Sequence, residues 1–182
     1  MRTARRFVNE CLLLFLILTV SGTSVRALQS NEYQIKAGFL LNFVRFVEWP
    51  AEAFSDDNGL IVIGVIGDDP FGSALDEIVS GKSINGHGVA VRRLKWGQDL
   101  KACHLLFVST SERKRVAQLF EAIKGASVLT VGEMAQFNQQ GGIINFVMEA
   151  NKVRFEINVA MADRARLKIS SKLLALARTT RN

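Results

Sequence analysis

Hydrophobic and polar positions along the chain follow several distinct rhythms. The first runs from Asn31 to Pro50, NEYQIKAGFLLNFVRFVEWP. Tyr33, Ile35, Phe39, Leu40, Leu41, Phe43, Val44, Phe46 and Val47 cover nearly the whole circumference of a helix. Only Gln34, Gly38, Asn42 and Arg45 share a narrow polar stripe, spaced by three and four. A helix apolar almost all round is buried on most sides. Pro50 is expected to end it, because the residue before a proline is pushed out of the helical region. The pattern predicts a central helix clamped between layers, or one that offers its spare face to a partner.

The next rhythm is a continuous apolar run, Leu60-Ile-Val-Ile-Gly-Val-Ile66. β-Branched residues dominate it, as expected for a strand covered on both faces. Asp68-Asp69-Pro70 breaks it, and Phe71 to Val79 reads as a helix with Phe71, Leu75, Ile78 and Val79 on one side. Glycine turns around Gly81 and Gly86 lead into a short strand, Val89 to Val91, that runs out to Arg92, Arg93 and Lys95. Cys103 to Val108 is a second buried strand. Ser109-Thr110-Ser111 offers caps for a helix from Glu112 to Lys124, which Gly125 stops. Ser127 to Val131 is another strand. The end of the chain alternates strictly: Gly142 to Glu149 and Lys152 to Asn158, joined by Ala150-Asn151, predict a β-hairpin. In its second arm Val153, Phe155 and Ile157 point one way, and Arg154, Glu156 and Asn158 the other. A helix from Ser170 to Arg178 closes the chain. The succession predicts a single α/β domain with a central mixed sheet of about six strands, helices on both faces, and a C-terminal hairpin and helix.

Residues 1–27 change the picture of the whole. Arg2, Arg5 and Arg6 precede an apolar run from Cys11 to Val20, and Ser24-Val25-Arg26-Ala27 places small residues where a signal peptidase reads. This is the pattern of a secretory signal peptide, with the domain proper over 28–182. The apolar run is shorter than the roughly 20 residues of a membrane span. The formal charge of +6 belongs partly to this leader, which holds four arginines and one glutamate. The remaining 155 residues carry 19 basic against 16 acidic side chains, so net charge gives little support to nucleic-acid binding. Cys103 is the one cysteine left. The chain is bound for an oxidising compartment but has no internal disulfide to form. Cys103 is then a buried small hydrophobe or the site of an intermolecular bridge.

Catalytic chemistry is sparse. His87 sits in a glycine turn that solvent is expected to reach. His104 adjoins Cys103, but strand neighbours face opposite sides and cannot form a dyad. No spaced His/Cys set marks a metal site, and Gly81-Lys82-Ser83 lacks the leading glycine of a phosphate loop. The sequence therefore implies no catalytic residue, metal or cofactor. Binding candidates remain: Asn42, Arg45 and Trp49 at the first helix, the row Arg154, Glu156 and Asn158, and the basic pair Arg92 and Arg93. Each has a plainer reading as solvated surface or, for Trp49, as a cap on the core beside Pro50.

Two stretches carry a resemblance. Tyr33 to Pro50, with Lys36-Ala37, Phe39-Leu40, Asn42-Phe43, Phe46 and Glu48-Trp49-Pro50, resembles the opening signature of the YfiR (HmsC-like) family of periplasmic regulators. Val153 to Asn158 followed by Leu167 to Leu174 resembles that family's closing signature. The resemblance implies a non-enzymatic α/β protein of the periplasm. It would bind the periplasmic sensor part of an inner-membrane diguanylate cyclase and restrain cyclic-di-GMP synthesis, and hence biofilm formation. It also implies a homodimer and, as a second partner, an outer-membrane lipoprotein that sequesters the regulator. Relatives carry disulfides that make their repression redox-sensitive; here Cys103 matches one cysteine of that set and has no intramolecular mate. The alternative is a small-molecule-binding sensor module serving another membrane signalling protein, with Arg92, Arg93 and the polar hairpin face taking an anion.

Overall fold

A computed structural model describes residues 31–54 and 59–178. The signal peptide expected over 1–27 lies outside the described residues. The first helix, α1, spans 31–46. It does not run on to Pro50, because Val47–Glu48 (β1) is drawn into an antiparallel bridge with Lys168–Ile169 (β9). Ala37, Leu40, Phe43 and Val44 are buried. The opposite side is wetter than its composition suggests: Gln34, Ile35, Asn42 and Arg45 are exposed. Gly38 breaks that stripe, since a side chain there would touch Ile78 Cδ1 at 3.6 Å.

The main sheet has seven strands rather than about six: Leu60–Ile66 (β2), Ser83–Ile84 (β3), His87–Leu94 (β4), Leu105–Val108 (β5), Leu129–Gly132 (β6), Ile144–Glu149 (β7) and Lys152–Ile157 (β8). The additional strand is β3, whose two residues pair with β4 across the Asn85-Gly86 turn. The spatial order is β3-β4-β2-β5-β6-β7-β8. The five inner strands are parallel, and both edge strands are antiparallel to their neighbours. Ala150 and Asn151 both have positive φ, 46° and 60°, the conformation a two-residue hairpin turn requires.

The continuous apolar runs are explained by alternation between two cores. Ile61, Ile63 and Val65 of β2, with Leu105 and Phe107 of β5, face α1 and Ser73–Val79 (α2). Val62, Ile66, Leu106 and Val108 face Val116–Ala122 (α3) together with Met134 and Phe137. On the first face Phe39 and Phe43 of α1 interlock with Phe146 and Phe155 of the hairpin, the closest centroids 4.9 Å apart. Such tilted and stacked pairs add to the gain from burial alone. Two further short helices complete this face, Val159–Arg164 (α4) and Ser171–Leu176 (α5).

Helix α3 is shorter than the expected Glu112–Lys124, because Thr110–Arg115 forms a 3-10 turn. This turn decides what the sheet can bind. Strand order reverses between β2 and β5, and in open α/β sheets the crevice at the carboxyl ends of such strands receives ligands. Here it is filled from within. Ser111 Oγ accepts the Asp68 amide at 3.0 Å. Glu112, 4% exposed, accepts the Trp96 indole N–H at 2.7 Å and pairs with Arg115 at 2.9 Å.

Candidate functional site

Asn42 and Arg45 are exposed, three residues apart on the outer stripe of α1. Trp49 is not on that stripe. It is half-buried, donates its indole N–H to the His104 carbonyl at 3.2 Å, and packs edge-on to the His104 ring. This fits a wall of the core better than an exposed anchor.

Arg92 and Arg93 lie within β4, not in a loop beyond it. Adjacent strand positions point to opposite faces, so they cannot close on one anion together. Arg93 is engaged internally: its guanidinium meets Asp76 at 2.6 Å and Asp69 at 3.0 Å, and donates to the Gly72 carbonyl at 2.8 Å. These bonds tie β4 to α2 and its entry loop. The hydrogen bond from Arg93 holds the Asp76 carboxyl below its usual range and, reciprocally, raises the Arg93 pKa.

The hairpin row divides in the same way. Arg154 is exposed and Glu156 half-buried. Asn158 has left the strand to become the N-cap of α4. Its Oδ1 accepts the Met161 amide at 3.1 Å, and its Nδ2 donates to the Asn138 carbonyl at 3.0 Å.

Cys103 is 3% exposed. Its sulfur faces the bare Gly64, where an added Cβ would come within 2.5 Å of it. An intermolecular bridge would first require the surrounding core to open. His104 turns to the other face, where its Nδ1 accepts the Val62 amide at 3.2 Å. His87 is not simply solvated: it stacks on Phe54 with centroids 4.4 Å apart, and its Nδ1 lies 2.9 Å from the Gly59 carbonyl oxygen.

Sequence reasoning missed a buried ionic cluster. Lys36, 4% exposed, lies 2.6 Å from Glu133 and also pairs with Glu32. The Tyr33 hydroxyl donates to Glu133 at 3.0 Å, and the Lys36 ammonium sits 4.5 Å from the Tyr33 ring centroid. Burial, then the Glu133 charge, pushes the Tyr33 hydroxyl well above the usual phenol range. The cluster locks the start of α1 to the end of β6. The available signal was a lysine one turn from Leu40 on the core-facing side of an apolar helix.

Two adjoining clefts open at the amino end of β6 and β7. One, of about 550 Å³, is floored by Phe120, Ile123, Ile143 and Met161 and rimmed by Lys124. The other, of about 730 Å³, is lined by Asn138, Glu156, Asn158 and Arg178. Gln139, Gly141, Met161 and Arg164 line both. Of the expected site residues, the second cleft brings together Glu156 and Asn158.

Residues 33–178 match the model of a protein family described as YfiR/HmsC-like. No curated protein matches the chain. Among solved structures, a conserved domain protein from Vibrio cholerae is similar over 68% of this chain and 56% of its own, at 12% identity and a TM-score of 0.48. Among the described residues no helix is long and apolar enough to cross a membrane.

Proposed function

The chain belongs to the YfiR/HmsC-like family of periplasmic regulators, and from that premise we propose that it is a negative regulator of a membrane signalling protein. In this reading residues 1–27 are a cleaved signal peptide, and residues 28–182 bind the periplasmic sensor part of an inner-membrane diguanylate cyclase and restrain cyclic-di-GMP synthesis. A homodimer is the acting form, and an outer-membrane lipoprotein relieves the restraint by sequestration. The observation that carries the reading is the extent of the family match, which spans nearly all the described residues.

The mechanism is population shift. A binder silences a sensor only through its preference for the inactive state, and moving a 1:99 mixture to 99:1 takes a preference of about 5.5 kcal/mol. Asn42, Arg45, Arg154, Glu156 and Arg92 remain as contact candidates. Trp49, Arg93 and Asn158 are held by their own neighbours. The ligand-sensor alternative placed an anion on the polar hairpin face with Arg92 and Arg93; the two arginines stand at successive positions of β4, which does not favour their meeting one anion, while Glu156 and Asn158 line one cleft.

The test is cellular cyclic-di-GMP, measured by mass spectrometry in the native host with and without the gene. A rise on deletion, reversed by the exported form and not by a leaderless one, is expected. An unchanged level would refute the reading.

A further inference from the structure

The two clefts between α3, the 133–143 segment and α4 meet at Arg164 and form one open trough. Its apolar half is built on Phe120, Met161 and Ile143. Gly141 allows the chain to pass this close: its φ is +119°, and a Cβ there would crowd Phe120 at 3.3 Å.

The polar atoms of the trough are incompletely matched. The Arg164 guanidinium meets only the Met161 sulfur, at 3.5 Å, among the described residues. No carboxylate of the described residues pairs with it. The polar half is lined by Asn138, Glu156, Asn158 and Arg178, and Arg178 pairs with Glu149 at 3.4 Å. An apolar recess and a cation with no carboxylate partner among the described residues therefore lie along one channel.

We propose that this trough is the docking site for an extended segment of a protein partner that carries an apolar side chain beside an acidic one. The apolar side chain fills the recess over Phe120 and Met161. The carboxylate pairs with Arg164. Two clefts in series, open along their length and edged by the amide side chains of Gln139 and Gln140, suit a running backbone better than a compact small molecule. The inference rests on the reading of the chain as a partner-binding regulator and assigns that binding to a surface.

The probe is an end-capped, fluorescein-labelled glycine–serine hexapeptide with one leucine next to one aspartate. It is titrated by fluorescence anisotropy against the whole chain exported to and purified from the periplasm. Saturable binding is expected. It should weaken at least about tenfold when the aspartate is replaced by lysine, and equally in Arg164→Glu, as loss of a charge-assisted pair implies. Lys114→Glu, an equal charge change at an exposed site outside the trough, should bind like the parent, and near-UV circular dichroism should show both variants folded. No saturation by about 1 mM, or equal affinity for the aspartate and lysine peptides, would overturn the proposal. So would undiminished competition by N-acetylaspartate alone, which would make the trough a small-carboxylate pocket. Release of a dimer by the peptide in sedimentation would overturn it as well, because a second copy would then be the occupant. A failed peptide titration alongside a rise in cyclic-di-GMP on deletion would sink this inference alone. Peptide binding with no such rise would sink the regulatory reading alone.

Discussion

Replacing Lys36 by methionine tests how the start of α1 is held. In the native protein the Lys36 ammonium lies 2.6 Å from Glu133, and the two side chains are only 5% and 8% exposed. Methionine keeps the length of the side chain and removes the charge. Glu133 is then left in the interior with the Tyr33 hydroxyl as its remaining partner among the described residues. Breaking a buried pair from one side costs about 3–5 kcal/mol, because the other charge stays desolvated and unmatched. The reverse change, Glu133→Leu, is milder. Lys36 keeps Glu32, whose side chain is 28% exposed and shares the charge with water, so about 1–3 kcal/mol is expected. The double variant buries neither charge and should cost less than Lys36→Met alone, giving a coupling of about 2 kcal/mol or more. The assay is urea unfolding followed by tryptophan fluorescence, with thermal scans in parallel. For a chain of this size Lys36→Met should lower Tm by about 6–20 °C. A cost below about 1 kcal/mol for Lys36→Met, or singles that sum to the double within about 0.5 kcal/mol, would refute the argument.

Four further outcomes follow. Tyr33 is the chain's one tyrosine, so its ionisation can be followed by ultraviolet absorbance. Its pKa is raised on folding, so the stability it contributes is complete below the unfolded value of about 10 and is lost as pH climbs above it; tyrosinate absorbance that developed near pH 10 with the fold intact would contradict this. The Asp76 pKa is lowered on folding, so its contribution is present above about pH 4 and fades as pH falls through the folded pKa; both partners are partly exposed, so Asp76→Asn should cost less than about 1 kcal/mol at pH 7 and nothing in 1 M salt. Gly64→Ala should cost about 1–3 kcal/mol by overpacking, and Cys103→Ala in the same chain should recover much of it, since the nearest clash is with the sulfur; an equal loss in both backgrounds would shift the obstacle to Leu94 and Leu106, whose methyls lie 3.0 Å from the added Cβ. Asn158→Ala should lose about 1–2 kcal/mol of stability through the cap, whereas Arg154→Glu should lose repression with an unchanged melting curve; an Arg154→Glu chain that unfolds would make the row structural.

Much of the fold was legible where one physical rule governed a segment alone. The hairpin alternates because one face of each arm is covered, and Val153, Phe155 and Ile157 are buried as their period predicts. β2 and β5 read as continuous apolar runs because each is enclosed on both faces. What was missed depends on tertiary partners. β3 and β9 are two-residue ladders with no period to detect. α4 is six residues long, and its cap, Asn158, continues the alternation of β8, so the pattern carried the strand one residue too far. Arg93 looks like surface until the register of β4 sets it opposite Asp76 and Asp69. Lys36 and Glu133 are 97 positions apart, and neither hints at the other.

The small ladder between β1 and β9 also governs the order of events during biogenesis. Val47 pairs with Ile169, and the Ser170 amide donates to the Phe46 carbonyl. The aromatic side chains of α1 are covered by residues 146 and 155. A chain that emerges N-terminus first therefore presents this helix long before the hairpin exists to cover its phenylalanines. An early half of the domain can lay α1 on β2 and β5 but leaves Phe39 and Phe43 without the hairpin. That face of the helix stays open to any chaperone that reads apolar segments until the last strands have arrived.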